Sequence, residues 1–492
     1  MWTEQSSSHG RPPGPTAKSP NDSRRSHRWR SYGPRRRRSE RPMSVCIRMV
    51  ATASPRSTTS SSTTDERLPC RAWQAARARS SRASLNSVST PMRALAAKRA
   101  SEEHEMDFRL GPKADEVRRE IRAFLAENFS EADRRRTLEE GGGHDWDLYR
   151  KLAAEGWVSA GWPEEMGGGG RDPYEILTLY WELCKAGFPW IGLLNNGFIG
   201  HTLLALGTDL QRKEVVPRIA SGEIAFALGY SEPGSGSDVA ACRTQATRDG
   251  DDWLIDGQKM WTTTGHTAQY IFMLTRTSTQ ERPHRGLTLF LVPTDAEGVD
   301  VQPVHTMGGE RSNAVYLTRV RVADSARVGE VDKGWAVVRF ALGLEQAMGF
   351  ADLQEKFVED ASRWALARDD EGTRPFDDPR VKEQLAQTAI HAEVSRLLRH
   401  RSTWLAAENR DLGGKGAMTK SFSATSYLDD AQAWTQIIGP AGMLAEGEDG
   451  AVANGAFEEA FRQTPVNTIY GGTVEILRSL VAEIELGLPK SR

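Results

Sequence analysis

The run of small residues between Leu228 and Asp238 is the first segment whose composition suggests chemistry. It reads Leu-Gly-Tyr-Ser-Glu-Pro-Gly-Ser-Gly-Ser-Asp. So many small side chains leave backbone N–H groups open to an anion or to the edge of an aromatic ring. Because an ordinary polar turn has a similar composition, the segment indicates either a close ligand contact or a turn.

A second segment, residues 258–265, follows in a strand-like stretch. It carries one tryptophan, Trp261, and three threonine hydroxyls. A single tryptophan in such a place is more often part of the core than a platform for a cofactor. The segment therefore does not define a site by itself.

Glu345 stands in a mainly apolar helical stretch, residues 336–350. A carboxylate there either faces solvent or occupies a functional cavity. Burial would raise its pKa and make it a better base near neutral pH. We therefore consider Glu345 a candidate general base, with a solvated glutamate on the helix surface as the alternative.

The cysteines and the scattered histidines argue against a metal site. Cys46, Cys70, Cys184 and Cys242 show neither CxxC spacing nor clustering with histidine, so we expect neither a metal centre nor a disulfide framework. No run reaches the roughly 18 consecutive apolar residues that a membrane-spanning helix needs. A cytoplasmic, soluble protein without a transmembrane segment fits these observations best.

Three regions of different periodicity must position these residues. Residues 106–227 have apolar residues three and four apart, which predicts an N-terminal α-helical domain. Residues 228–330 have short β-type runs, at 253–255, 270–274 and 287–292, which predict a middle, barrel-like β domain. Residues 331–492 return to long helical stretches, at 335–367, 380–408, 415–438 and 474–486, which predict a C-terminal four-helix bundle. The expected fold class is α+β.

The first 105 residues differ in composition from the rest. They carry 21 Lys and Arg against 8 Asp and Glu, a balance of +13, and because the whole chain carries −2, the remainder carries −15. Such an Arg-, Ser- and Pro-rich segment cannot offset its ordering entropy, so we expect a disordered basic extension over 1–105.

Three interpretations of this extension remain open. The first is a tail that binds nucleic acid or acidic surfaces, and the second is a transit peptide. The third is upstream sequence that was included because the start codon was chosen too early. We favour the last, because Met106 opens a helical pattern as a natural start would. No nucleic-acid partner is therefore predicted.

The order of motifs resembles that of the acyl-CoA dehydrogenase family. Tyr230 to Asp238 and Lys259 to Thr263 are similar to the two signatures of the family's β domain, at the usual separation. Agreement continues through residues 286–293, 305–308, 328–330, 436–442 and 470–476. So many motifs in one order outweigh the weakness of each alone.

The resemblance implies FAD as cofactor and assigns its contacts. The positions that line the flavin ring are Tyr230, Ser231, Trp261 and Thr263. Gly236 and Ser237 lie next to the pyrophosphate and the acyl-CoA entrance, so Ser237 also counts as substrate-binding, as does Tyr470. Thr473 and Glu475 form the last FAD-contacting turn. The positions that reach the FAD of a neighbouring subunit are Arg368, Gln436, Gly439 and Gly442, which implies a homodimer or homotetramer.

The resemblance also implies α,β-desaturation of an acyl-CoA, in which a base takes a proton from Cα while a hydride leaves Cβ for flavin N5. Many relatives place the base directly after a tyrosine, but here Gly471 follows Tyr470. A second subset places it on the first helix of the C-terminal bundle, where this chain has Glu345, followed by Gln346 instead of the family's arginine. Gly471 would still act through its N–H, which hydrogen-bonds the thioester oxygen.

This reading predicts lipid catabolism of the β-oxidation type, with an acyl-CoA substrate and an electron-transfer flavoprotein or similar acceptor. The space at Gly471 favours a branched or ring-bearing acyl group. Two alternatives stay open: a flavin oxidase or monooxygenase of the same fold, and a non-catalytic partner subunit of a heteromeric dehydrogenase.

Overall fold

The computed structural model describes residues 110–346, 349–368 and 371–490. The predicted basic extension, residues 1–105, lies outside the described residues. The N-terminal helices begin directly after Gly111, where the apolar side chains Val117, Ile121 and Phe124 recur at helical spacing and are buried. The N-terminal helices are α1 (Pro112–Asn128), α2 (Glu131–Glu139), α3 (Trp146–Ala154), α4 (Pro173–Ala186), α5 (Ile191–Leu206) and α6 (Val216–Ala220).

The middle part is one mainly antiparallel sheet of eight strands. They are β1 (Phe226–Gly229), β2 (Gln245–Asp249), β3 (Asp252–Lys259), β4 (Tyr270–Arg276), β5 (Leu287–Pro293), β6 (Val299–His305), β7 (Arg311–Ala323) and β8 (Arg327–Val328). Their order is β6-β7-β3-β2-β4-β5-β8, and β1 pairs with β4 in parallel. The three predicted β-type runs lie in β3, β4 and β5.

Strand β4 is buried on both faces, because it lies between two apolar layers. Phe272 and Leu274 belong to the same core as the N-terminal helices. Ile271 and Met273 belong to a second apolar core, which also contains Phe290 of β5. Alternate residues of a strand point to opposite faces, so a continuous apolar run suits this position. The sheet is thereby fixed to the helices at the strands next to β1.

The C-terminal part is helical. Its helices are α7 (Gly334–Gln346), α8 (Ala351–Leu366), α9 (Pro379–Ala407), α10 (Lys415–Ile438), α11 (Ala456–Asn467) and α12 (Val474–Leu480). The prediction of a single helix over 335–367 was wrong, because Gly349 has φ 62°, outside the right-handed helical region. The predicted order of a helical, a β and a helical domain is confirmed. In the part of the chain that the structure describes, no helix combines the length and the apolar character needed to cross a bilayer.

Candidate active site

The small-residue segment leaves strand β1 at Gly229 and turns sharply. Glu232 and Ser235 exchange two backbone hydrogen bonds, of 2.9 and 3.1 Å. A Cβ added at Gly236 would meet no heavy atom within 4 Å, and Ser237 is exposed. Tyr230 is buried, and its ring meets that of Phe272 edge-on at 6.2 Å. The loop therefore presents its small residues to open space.

The segment that follows β3 forms the second loop. Trp261 has φ 62° and is 56% exposed, so it is not the core residue that its type suggests. The next residue, Thr262, donates its N–H to the carbonyl of Asn313 at 3.0 Å. The hydroxyls of Thr263 and Ser312 lie 3.2 Å apart. Left-handed backbone at a tryptophan is uncommon and is found most often at functional sites.

A buried ion pair joins the two loops. Lys259 is fully buried, and its Nζ donates to Glu232 Oε1 at 2.9 Å and to the Tyr230 carbonyl at 3.3 Å. Met260 donates its N–H to the Ser231 carbonyl at 3.0 Å. These contacts bring Tyr230 and Ser231 next to the segment that carries Trp261 and Thr263.

The carboxylate of Glu232 is strongly stabilised in its ionised form. It accepts the N–H groups of Arg243 and Thr244 at 2.7 and 2.9 Å. Burial acts to raise the pKa of Glu232, but Lys259 and the hydrogen bonds from Thr244 outweigh it and lower the pKa to about 2. The pair is therefore charged at neutral pH and holds the two loops at a fixed distance.

Helix α7 carries position 345 in its last turn. Its residues Val337, Val338 and Ala341 are buried against the N-terminal helices and the sheet. The side chains of Glu345 and Gln346 lie outside the described residues. Beyond this helix, the Phe350 N–H donates to Ser423 Oγ of α10 at 3.1 Å. The end of α7 is thus fixed next to α10.

The Tyr470–Gly471 turn lies between helices α11 and α12. Gly471 has φ 62°, and the ring of Tyr470 meets Phe350 edge-on at 5.8 Å. Thr473 caps α12 by accepting the N–H of Ile476 at 3.4 Å. Glu475 is exposed, and hydrogen bonds from its own backbone N–H and from the Thr473 hydroxyl lower its pKa.

Lys420 on α10 is a residue that the sequence analysis missed. It is 3% exposed, and its Nζ donates to the Tyr470 carbonyl and lies 4.8 Å from the centroid of the Tyr470 ring. The only signal in the sequence is a lysine within a helix of small and apolar residues. Lys420 and Ser423 share one segment of α10, so that segment contacts both the Tyr470 turn and the chain that follows α7.

The residues predicted to face a neighbouring subunit lie elsewhere. Gln436 is exposed in the last turn of α10, and Gly439 ends that helix. Gly442 is buried, and a Cβ added there would lie 3.1 Å from Ile438. Arg368 is exposed and donates to the Gly372 carbonyl at 2.6 Å. Within the described residues, none of these four forms a hydrogen bond to the two loops that Glu232 and Lys259 join.

The chain has a β domain between two helical domains, and comparison with known proteins identifies its family. The profile "Acyl-CoA dehydrogenase, N-terminal domain" matches residues 111–223, "Acyl-CoA dehydrogenase, middle domain" matches 227–321 and "Acyl-CoA dehydrogenase, C-terminal domain" matches 332–486. Acyl-CoA dehydrogenase FadE26 of Mycobacterium tuberculosis is 35% identical over 399 residues, 77% of this chain and 98% of that protein. The chain belongs to the acyl-CoA dehydrogenase family.

Many solved structures share the fold, and two of them show the extent of the similarity. "Tcur3481-Tcur3483 steroid ACAD" is 36% identical, with a TM-score of 0.72 over 78% of this chain and 100% of that chain. The ChsE4-ChsE5 complex from Mycobacterium tuberculosis is 33% identical, with a TM-score of 0.71 over 77% of this chain and 99% of that chain. The protein is accordingly an FAD-dependent oxidoreductase that acts on acyl-CoA.

The residues of the two loops fit a flavin. The indole of Trp261 is exposed, and Gly234 and Gly236 border open space. The buried hydroxyls of Thr262 and Thr264 have no hydrogen-bond partner in the described part of the chain. An exposed indole and spare hydroxyl groups are features that a bound polar ring system would satisfy.

Proposed function

We propose that the protein desaturates an acyl-CoA thioester between Cα and Cβ, with Glu345 as the base. The observation that carries this proposal is that α10 contacts, within residues 419–423, both the chain following α7 and the Tyr470–Gly471 turn. Because position 471 is glycine, the carboxylate must come from another segment. Helix α7 carries a glutamate at position 345, and the chain after this helix contacts α10 at Ser423, three residues from the lysine that contacts this turn.

Each residue then has a defined role. Glu345 takes the proton from Cα, and the Gly471 N–H donates to the thioester oxygen, which acidifies Cα and stabilises the developing negative charge. Bound FAD supplies the acceptor for the hydride that leaves Cβ. The residues proposed to hold the FAD ring are Tyr230, Ser231, Trp261 and Thr263, with Gly236 and Ser237 beside the pyrophosphate and the acyl-CoA entrance. Thr473 and Glu475 complete the contacts within this chain.

We propose a ring-bearing acyl group, such as a steroid side-chain thioester, as the substrate. Two consecutive glycines, Gly471 and Gly472, place no side chain beside Tyr470, the second proposed substrate contact. The relative described as a steroid ACAD, at 36% identity, supports the same class. A sharp optimum for straight, medium-length acyl-CoA would contradict this assignment.

We further propose an electron-transfer flavoprotein or similar protein as the electron acceptor. A same-fold oxidase would instead pass the electrons to oxygen. Steady-state oxygen uptake without an added acceptor separates the two, and the dehydrogenase assignment requires little uptake.

The base is tested by Glu345→Gln. We expect the variant to keep FAD but to lose flavin bleaching by steroid side-chain CoA thioesters, by on the order of 10²- to 10⁴-fold, the usual contribution of a general base. Anaerobic stopped-flow absorbance measures the bleaching. The matched control is Glu359→Gln, an exposed glutamate of α8 paired with Lys185, which should bleach like the wild type. Rapid bleaching in Glu345→Gln would refute the assignment.

A further inference from the structure

Lys420 is a buried cation beside the turn that carries Gly471. Burying an ammonium group costs several kcal/mol unless polar partners satisfy it. Here the Tyr470 carbonyl accepts one of its N–H groups, and the Tyr470 ring lies under the charge at 4.8 Å. Both contacts converge on one residue of the turn. The fold therefore keeps a positive charge at a defined place next to the Tyr470–Gly471 peptide.

The Tyr470 carbonyl and the Gly471 N–H belong to the same peptide unit. A trans peptide is planar, and its C=O and N–H point in opposite directions. Fixing the carbonyl therefore also fixes the direction of the N–H on the other side. A cation at the carbonyl oxygen polarises the unit as well, and a polarised N–H is a stronger donor.

The turn needs such an anchor because its backbone is permissive. Gly471 and Gly472 both have positive φ, 62° and 99°, which glycine adopts at little cost but also leaves easily. On the other side, the Tyr470 ring is held edge-on by Phe350. Lys420 and Phe350 thus hold the carbonyl and the ring of Tyr470, and with them the peptide plane that contains the Gly471 N–H.

We propose that Lys420 is a positioning residue for the reaction: it orients and polarises the Tyr470–Gly471 peptide so that the Gly471 N–H binds the thioester oxygen. The inference rests on the proposed role of Gly471, and it adds that the charge of Lys420 strengthens the hydrogen bond that the Gly471 N–H donates. Loss of the charge should reduce polarisation of the thioester carbonyl without removing FAD.

The experiment measures that polarisation directly. Crotonyl-CoA with ¹³C at the thioester carbonyl is bound to the FAD-loaded protein, and isotope-edited infrared spectroscopy records the carbonyl stretch. We expect wild type to lower the stretch relative to free ligand, and Lys420→Met to reverse most of that shift. The kcat for an acyl-CoA substrate should fall by about tenfold to 10²-fold, which is at most the loss caused by removing one oxyanion donor. The change in KM should be smaller.

Two further variants keep the test decisive. Lys415→Met removes a lysine of the same helix that pairs with Glu485 at 2.8 Å, and it should leave the carbonyl stretch unchanged. Lys420→Gln keeps a donor without the charge, so an intermediate shift is expected even if Lys420→Met does not fold.

The outcomes separate the two proposals. A wild-type carbonyl shift that persists in Lys420→Met, or in Lys420→Gln, overturns the role of Lys420 alone. A wild-type protein that bleaches with acyl-CoA but leaves the carbonyl stretch unshifted overturns the roles of Gly471 and Lys420 together. Failure of any acyl-CoA to bleach the flavin, with the carbonyl shift intact, overturns only the proposed dehydrogenation.

Discussion

At the residue scale, the Glu232–Lys259 pair shows how two short loops become one site. The loops are separated in sequence, and each is rich in residues that do not pack well. Here a buried ion pair, whose carboxylate and ammonium groups also form hydrogen bonds to the backbone, fixes the distance between the loops that apolar packing does not fix. The pair therefore acts on the proposed flavin contacts through Tyr230, Ser231 and Met260, although neither charged group is itself assigned to the cofactor.

Removing one member of this pair should destabilise the protein more than removing both members together. Glu232→Gln or Lys259→Met leaves one buried group unpaired, so each should lower the free energy of unfolding by about 3 kcal/mol. The double variant should recover part of that loss, because no charge is left unpaired. Urea unfolding followed by flavin fluorescence measures all three. Additive losses in the double variant would contradict the coupling.

The same pair predicts a dependence on pH. The pKa of Glu232 falls from an ordinary 4.5 to about 2 in the folded protein. A lowered pKa contributes stability that is complete above pH 4.5 and is lost as the pH falls towards 2. Wild type should therefore lose stability over this range more steeply than Glu232→Gln/Lys259→Met, and parallel curves would show that the carboxylate does not contribute.

The residue types indicated the site only in part. The glycines and serines of 228–238 indicated either a ligand contact or a turn, and residues 258–265 defined a site only through the family resemblance; the structure brings these two segments together. The roles of Glu232, Lys259 and Lys420 could not be predicted, because a charged residue in a loop or helix is usually solvated. Only the three-dimensional contacts show that these charges are buried and which carbonyls and carboxylates they meet.

At the element scale, the break between α7 and α8 places position 345 in the last turn of α7. Hydrophobic periodicity continues across 335–367, so the sequence pattern predicts one helix. The helix is interrupted at Gly349, which has φ 62° and packs closely against Ser423 and Thr419 of α10. The long, strongly periodic helices over 380–408 and 415–438 and the apolar strands were predictable for the opposite reason: local pattern and packing agree.

Gly349→Ala tests this junction. A Cβ at this position would lie 3.1 Å from both Ser423 Oγ and Thr419 Cγ2, in addition to the unfavourable φ of 62°. We expect a loss of about 1–3 kcal/mol in unfolding free energy and a lower rate of flavin bleaching, since the end of α7 would move. The matched control is Gly250→Ala in the β2–β3 turn, with the same φ of 62° and no atom within 4 Å of the added Cβ. It should show only the backbone cost and normal bleaching; equal activity loss in both variants would contradict the proposed link.

At the scale of the whole molecule, the proposed FAD contacts fall into three groups, and no hydrogen bond among the described residues joins the first to the second. The first group lies on the two loops joined by Glu232 and Lys259, the second at Arg368 and around the end of α10, and the third at Thr473 and Glu475. In the sequence around and after Thr473 and Glu475, large apolar side chains are 39–68% exposed, at Ile469, Ile476, Ile484, Leu486 and Leu488. An apolar surface of this kind usually marks a contact with another chain. We propose that a second chain covers it, as a site assembled from two subunits requires.

A site shared between two chains makes FAD binding depend on protein concentration. Dilution that separates the chains should release FAD, because assembly and cofactor binding stabilise each other by mass action. Arg368→Met should release FAD at a higher protein concentration than wild type while leaving the folding of the isolated chain unchanged, since its side chain is exposed. Arg374→Met, which removes a surface pair with Asp377, is the control. Flavin fluorescence against protein concentration measures release, and light scattering with the second chain present or absent identifies the assembly. FAD retention that is independent of concentration and of Arg368 would mean that one chain completes the site alone.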